Sequence, residues 1–130
     1  DPELVHYLRE VRKHAGFMPP GPVQAAGAVA YGDDAHVDEQ RARYRRRLDR
    51  AAEVLAAIGL DAPLPGGAFY RWLPAPDGDA WGLAARLAAD AGVLVSPGEF
   101  YGEAGAGHVR LAMVQPDEQI ERMAERLGVA

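Results

Sequence analysis

The chain has 130 residues, of which 48% are hydrophobic and 25% charged, as in an ordinary globular domain with a buried core. Its net charge of −5 argues against a nucleic-acid partner, because phosphate binding needs a basic surface. No apolar run is long enough to span a membrane, so we expect no membrane partner. The sequence has no cysteine, which excludes disulfides and is typical of a cytoplasmic protein. Its first residues are acidic, so they do not predict a signal peptide.

Side chains that perform covalent catalysis are scarce. Ser96 is the only serine, Lys13 is the only lysine, and threonine is absent. Ser96 precedes a proline and lacks the G-x-S-x-G turn of hydrolases, so a hydrolase is not expected. We also expect no metal site, because the histidines have no metal-binding spacing; they are His6, His14, His36 and His108.

Two helices are predicted in the first part of the chain. Apolar residues recur at helical spacing from Pro2 to His14, and Gly16 can end that helix. The segment from Phe17 to Pro22 contains three prolines and must be extended or turning. The next helix, from Pro22 to Tyr31, is almost entirely apolar or small, a composition typical of helices buried on several sides. It therefore predicts a partner surface.

A long third helix is predicted from Ala35 to Ile58, with Asp34 as its N-terminal cap. Its outer face is rich in arginine, at Arg41, Arg43, Arg45, Arg46, Arg47 and Arg50. Such a run could bind phosphate, or it could be a solvated face paired with nearby acids. The negative net charge favours the second interpretation.

From Ala68 onward the sequence predicts the element order β-α-β-β-α, which is an α+β layer with helices covering one face of a short sheet. The predicted elements are a strand at 68–73, a helix at 79–91, strands at 93–95 and 108–114, and a helix from Pro116 that ends at Gly128. The expected apolar face of the 79–91 helix is formed by Trp81, Ala84, Leu87 and Ala88. A loop with four glycines fills 96–107.

Arg110 is the main candidate for a binding residue. Strand alternation puts its side chain on the face opposite to Val109 and Leu111, beside the glycine-rich loop. Its planar fork could hold a carboxylate through two parallel hydrogen bonds. From the pattern alone, a structural arginine with its head in water remains the alternative.

Three stretches carry a family resemblance: Lys13-His14-Ala15-Gly16, Gly66-Gly67-Ala68-Phe69-Tyr70, and the segment from Gly92 to Met113. From Asp1 to about Leu127 the chain resembles the C-terminal part of class I/II (fold type I) pyridoxal-phosphate-dependent aminotransferases, and most of all the N-succinyldiaminopimelate aminotransferases. The resemblance implies transfer of an amino group between an amino acid, such as N-succinyl-LL-diaminopimelate, and a 2-oxo acid.

The resemblance also implies roles for particular residues. Arg110 would bind the substrate α-carboxylate, and Gly98 and Phe100 would approach the substrate. The family's Schiff-base lysine would lie upstream of Asp1, so Lys13 is not its equivalent and the chain holds no catalytic residue. We therefore expect the isolated chain to be inactive and to hold no covalently bound pyridoxal 5'-phosphate.

A homodimer is implied as well, through residues 15–31. Phe17, Met18 and Pro20 would lie at the interface near the partner's active site, although packing within their own chain is an equal alternative. In domain terms, 1–34 would end the large cofactor domain, 35–59 would be an interdomain helix, and 60–130 would be the small domain. Two other functions stay open: a non-catalytic dimerisation module, and another fold type I enzyme such as a β-lyase.

Overall fold

The computed structural model of the chain describes residues 1–16 and 18–129. The described helices are α1 (Pro2–Ala15), α2 (Gly21–Tyr31), α3 (Ala35–Ala57), α4 (Ala80–Arg86) and α5 (Asp117–Arg126), and the described strands are β1 (Tyr70–Pro74), β2 (Ser96–Pro97) and β3 (His108–Ala112). A π-helical turn at Leu87–Ala91 continues α4, and 3-10 turns form at Pro76–Gly78, Gly98–Tyr101 and Glu103–Gly105.

The chain forms two compact units, Asp1–Asp38 and Glu39–Ala130. The first contains α1 and α2 as predicted. The Asp1 carboxylate caps α1 by accepting from the backbone N–H of Glu3, and Gly16 ends it in the left-handed conformation. Neither α1 nor α2 buries a residue, and Val29 of α2 is 74% exposed.

A three-stranded antiparallel sheet lies at the centre of the second unit, in the order β1-β3-β2. Central strand β3 places Arg110 opposite Trp72 of β1 and Ser96 of β2. With α4 between β1 and β2, and α5 after β3, the predicted order β-α-β-β-α is confirmed.

Helices cover one face of this sheet. Leu73, Val109 and Leu111 point into that face and are buried, as strand alternation predicts. They belong to one hydrophobic core with side chains of α3, α4 and α5, namely Leu48, Ala51, Val54, Leu55, Ala80, Leu83, Ile120, Met123 and Ala124. The C-terminal half of α3 therefore packs into the core of the second unit.

Arg71 also points into the buried face, where it is 1% exposed. Its guanidinium donates to the backbone carbonyls of Ala62, at 2.6 Å, and Pro63, at 3.3 Å. Burial lowers the pKa of Arg71, and the negative charge of Asp61 partly offsets that effect. Arg71 thus ties the 60–65 loop to β1.

Two local predictions are wrong. Residues 93–95 do not form a strand; the second strand is Ser96–Pro97, because the N–H of Val93 bonds to the Leu87 carbonyl and so still belongs to the end of the π-helical turn. Trp81 does not face the core and is 55% exposed. The buried face of α4 and the following turn contains Ala80, Leu83, Leu87 and Ala91 instead.

The arginine-rich face of α3 is paired with acids, as the favoured interpretation predicts. Arg47 pairs with Asp117 of α5, and Arg50 donates to both carboxylate oxygens of Glu121, at 2.7 and 2.9 Å. Within the helix, the ion pairs are Arg43–Glu39, Arg45–Asp49 and Arg50–Glu53. The Arg47–Asp117 and Arg50–Glu121 pairs join the surfaces of α3 and α5.

In the part of the chain that the structure describes, no helix combines the length and apolar character needed to cross a membrane. Across residues 1–16 and 18–129, no three His, Asp or Glu side chains cluster so that they could hold a metal ion.

Candidate functional site

Arg110 lies on the open face of the sheet, between aromatic rings. Its guanidinium carbon is 4.3 Å from the centre of the Tyr70 ring and 4.5 Å from the centre of the Tyr101 ring. The side chain is half-buried, and its Nε is fully buried without a hydrogen-bond partner. No acidic side chain pairs with Arg110 anywhere in residues 1–16 and 18–129.

This arrangement suits the recognition of an anion. A cation over aromatic faces is attracted by the ring quadrupole, which holds the guanidinium in place without neutralising its charge. The rings also displace water from the guanidinium, so its remaining N–H donors would bind a carboxylate more strongly than they would in bulk water.

More aromatic surface adjoins Arg110 along the same sheet face. Trp72 stacks on His108, with ring centres 5.4 Å apart and planes 14° from parallel, and it meets Tyr101 edge-on at 6.0 Å. The Nδ1 of His108 is buried with no hydrogen-bond partner. A ligand held by Arg110 would therefore lie beside a largely aromatic surface.

Gly98, predicted to approach the substrate, is buried where the glycine-rich loop packs on itself. A Cβ at this position would overlap the Gly105 carbonyl oxygen, and it would lie 2.8 Å from Trp72 Cη2 and 2.9 Å from the His108 carbonyl oxygen. Glycine is needed here because backbone and indole approach the position so closely. Gly98 thereby sets the path of the loop beside Arg110.

Phe100, the other residue predicted to approach the substrate, is 64% exposed and contacts Trp81 edge-on at 5.7 Å. Its neighbour Tyr101 is the residue that reaches Arg110. Sequence reasoning missed Tyr101 because nothing in a glycine-rich loop fixes which side chain turns inward. Tyr70 could have been found, since it lies two residues before Trp72 and therefore on the same sheet face.

Lys13 lies at the end of α1, 59% exposed, with its Nζ 3.6 Å from a carboxylate oxygen of Glu10. A lysine that forms a stable aldimine needs a lowered pKa and an enclosing pocket, and this position offers neither burial nor enclosure. The described residues therefore do not fit the role of holding pyridoxal 5'-phosphate covalently.

The predicted partner-facing segment is only partly described. Met18 and Pro20 are exposed, whereas Phe17 lies outside the described residues. The apolar positions of α1 that follow helical spacing are also exposed, namely Leu4, Val5, Leu8 and Val11.

A separate groove of about 540 Å³ lies among residues 91–94, the end of β3 and α5. Leu94, Met113 and Ile120 line it, together with Arg122 and Arg126. The groove is not lined by Arg110, Gly98 or Phe100. The candidate site is therefore defined by Arg110 and the rings of Tyr70 and Tyr101, and not by this groove.

Comparison with known proteins identifies the family. Residues 1–127 match the family model for aminotransferase class I and II. The chain therefore belongs to the class I and II aminotransferases, and the predicted family is confirmed.

Two curated relatives cover almost the whole chain. The 4-dedimethylamino-4-oxo-anhydrotetracycline transaminase OxyQ of Streptomyces rimosus is 46% identical over 98% of this chain and 35% of its own length. An LL-diaminopimelate aminotransferase of Dehalococcoides mccartyi is 33% identical over 97% of this chain and 33% of its own. The chain thus spans about a third of the relatives it matches.

Solved structures agree on the fold. An aminotransferase from Neisseria meningitidis superposes with a TM-score of 0.86 and 33% identity, over 98% of this chain and 34% of that one. The N-succinyldiaminopimelate aminotransferase of Mycobacterium tuberculosis gives a TM-score of 0.77 over 99% of this chain and 35% of that one. Its identity of 24% shows a shared fold and nothing about the substrate.

Proposed function

We propose that the chain is the C-terminal part of a pyridoxal-phosphate-dependent aminotransferase, and that Arg110 binds the α-carboxylate of its amino-acid substrate. The whole enzyme would move an amino group between an amino acid and a 2-oxo acid. Both substrates carry a carboxylate next to the reacting carbon, so one carboxylate-binding arginine serves both directions of the reaction.

One observation carries this proposal: the guanidinium of Arg110 lies over two rings, half-buried, with no acidic partner among the described residues. A structural arginine in such surroundings would be expected to pair with an acid or with carbonyl groups, as Arg71 does with Ala62 and Pro63. Arg110 instead keeps its charge available to a ligand.

The chain's part in the reaction would be binding and orientation. The cofactor supplies the electron sink that lets an amino acid lose its α-proton. Nothing in residues 1–16 and 18–129 fits a Schiff-base lysine, so that group would come from another part of the parent protein. Arg110 would fix the direction of the substrate's Cα bonds by holding its carboxylate in a planar, two-point contact.

For the substrate, we propose N-succinyl-LL-diaminopimelate as the first amino donor to test. The relative named as an LL-diaminopimelate aminotransferase supports a diaminopimelate-type donor, whereas OxyQ is named for an anhydrotetracycline substrate. The aromatic surface of Trp72 and His108 suits a donor with a long or flat side chain better than a small one.

We propose further that the parent enzyme is a homodimer that uses residues 15–31, with Met18 and Pro20 at the interface. The exposed apolar surface of α1 and α2 supports this, because soluble proteins seldom leave such surface in water. In domain terms, 1–34 would complete the large domain, and 35–59 would lead into the small domain at 60–130.

The test is Arg110→Lys in the full-length enzyme, with Arg86→Lys on the exposed side of α4 as control. Lysine keeps the charge but cannot form the two-point contact. Loss of the two-point contact costs about 2 kcal/mol or more when the site is desolvated. We therefore expect kcat/KM to fall roughly 30-fold or more. A change within about twofold, or loss of the fold, would contradict the proposal.

A further inference from the structure

We propose that Trp81 and Glu99 are positioning residues for Arg110, and that they act through Tyr101. This inference rests on the proposed role of Arg110 in binding the substrate carboxylate. Trp81 and Glu99 would not touch the substrate themselves; they would hold in place the turn that brings Tyr101 over the guanidinium.

The turn is attached to α4 at two points. The indole N–H of Trp81 donates to a carboxylate oxygen of Glu99 at 2.7 Å, and Phe100 meets the Trp81 ring edge-on at 5.7 Å. Trp81 is the second residue of α4, and Leu83 of the same helix packs in the hydrophobic core. A rigid element thus holds two consecutive residues of an otherwise exposed turn.

The next residue of the same turn is Tyr101, whose ring centre lies 4.5 Å from the guanidinium carbon of Arg110. Residues 98–101 form a single 3-10 turn, closed by a hydrogen bond from the Gly102 N–H to the Glu99 carbonyl. Because a turn of this length has little internal freedom, its attachment at Glu99 and Phe100 also fixes the direction of Tyr101.

The attachment explains why an exposed tryptophan is used at this position. Trp81 is 55% exposed, so its contribution to the core is small. Its two contacts instead both fall on the turn that carries Tyr101. Without them the turn would be held by the packing of Gly98 against Gly105 at its start and by the edge contact of Tyr101 with Trp72, and Glu99 and Phe100 would lose their attachment to α4.

A loosened Tyr101 would leave one face of the guanidinium open to water. The guanidinium would then have more orientations to give up when it binds a planar carboxylate, and its interaction with the ring would be lost. We expect weaker substrate binding with little change in the chemical step, so KM should rise while kcat stays nearly constant.

The test uses the full-length enzyme and the variants Trp81→Phe, Glu99→Ala and Glu99→Gln. Phenylalanine keeps a ring against Phe100 but lacks the N–H donor, and alanine removes the acceptor. Glutamine keeps an acceptor oxygen. Both changes remove the hydrogen bond altogether, so Trp81→Phe and Glu99→Ala should raise KM for the amino acid roughly fivefold. Glu99→Gln should stay within about twofold.

Two further measurements separate positioning from general damage. The amine that lacks the α-carboxylate should react at an unchanged rate in all three variants, because it does not use Arg110. In an Arg110→Ala background, Trp81→Phe should add less than a twofold loss for the amino acid, since residues that act through one group are not additive.

The outcomes are distinguishable. If Arg110→Ala lowers kcat/KM for the amino acid while Trp81→Phe and Glu99→Ala leave KM within twofold, the positioning role is overturned and the carboxylate-binding role stands. Equal losses for the amine and the amino acid would also overturn it. If Arg110→Ala has no effect, both proposals fall.

Discussion

Gly98 and Gly105 approach each other so closely that a Cβ on either residue would overlap the carbonyl oxygen of the other. The two glycines lie seven residues apart, at the start of the 3-10 turn Gly98–Tyr101 and at the end of the 3-10 turn Glu103–Gly105. Their contact closes the glycine-rich loop against Trp72 and places Tyr101 beside Arg110.

Gly98→Ala should therefore destabilise the protein and displace the loop. An added methyl group in a packed site that cannot relax typically costs about 1–3 kcal/mol. The control is Gly107→Ala in the same loop, where the new Cβ would meet only Gly78 Cα, at 3.8 Å. Thermal unfolding of both variants checks this, and equal melting temperatures would contradict it.

Arg71→Met should also be destabilising. Methionine fills similar space but leaves the carbonyls of Ala62 and Pro63 without the donors that Arg71 provides. An unsatisfied acceptor costs about 1–3 kcal/mol when it is buried, and these carbonyls are part-buried, so we expect a loss of about 1 kcal/mol. Denaturant unfolding measures the change, with Arg86→Met on the surface as control. An effect no larger than the control's would show that water replaces the guanidinium.

Stability should fall in acid, because α3 and α5 are joined by carboxylate pairs. Hydrogen bonds from Arg47 and Arg50 lower the pKa of Asp117 and of Glu121 below their ordinary values of 3.8 and 4.5. A carboxylate with a lowered folded-state pKa stabilises the fold above its unfolded pKa, and this contribution is lost as pH falls through the folded value.

The unfolding free energy should thus decline from about pH 4.5 downward, and Asp117→Asn with Glu121→Gln should make that decline shallower. Glu118→Gln on α5 is the control, since Glu118 forms no ion pair with the described residues. Unfolding in denaturant at pH 7, 4 and 3 gives the slopes. Identical slopes for the double variant and the wild type would refute the prediction.

The purified chain should associate at micromolar concentration through α1 and α2. Their exposed apolar residues include Val29 and Tyr31, the latter 94% exposed. Val29→Glu should lower the average mass seen in sedimentation, because a charge would be buried in the contact. Ala85→Glu on the exposed side of α4 should not. A wild-type chain that stays monomeric would contradict the prediction, because the apolar surface of α1 and α2 would then remain exposed to solvent.

Pyridoxal 5'-phosphate should not form a stable Schiff base with the isolated chain. Lys13 is exposed beside Glu10, in a position that would not enclose the cofactor. Borohydride reduction after gel filtration, followed by intact mass, tests this, with Lys13→Arg as the control for adducts elsewhere. A stoichiometric adduct that Lys13→Arg abolishes would overturn the prediction.

Much of the fold follows from local signals. Glycines and prolines at element ends located α1, α2 and α5, and alternation in β3 correctly separated Val109 and Leu111 from Arg110. The arginine face of α3 was correctly assigned to ion pairs because the overall charge is negative.

The failures have two physical causes. Val93, Leu94 and Val95 are good strand formers, yet the π-helical turn before them takes the Val93 N–H and moves the strand onward. Trp81 was wrongly placed on the buried face and Tyr101 was missed, because their positions depend on contacts between a loop and a helix far apart in sequence. Such long-range contacts leave no periodic pattern to read.

The sheet order has a consequence for how the protein is made. Among the described strands, β1 and β2 each pair with β3 and not with one another, and β3 is the last of the three to leave the ribosome. Until His108–Ala112 emerges, the earlier strands have no partner and Trp72 has no finished sheet to join. Arg110 thus arrives on the strand that completes the sheet, so the candidate site and the sheet beneath it form in the same step of synthesis.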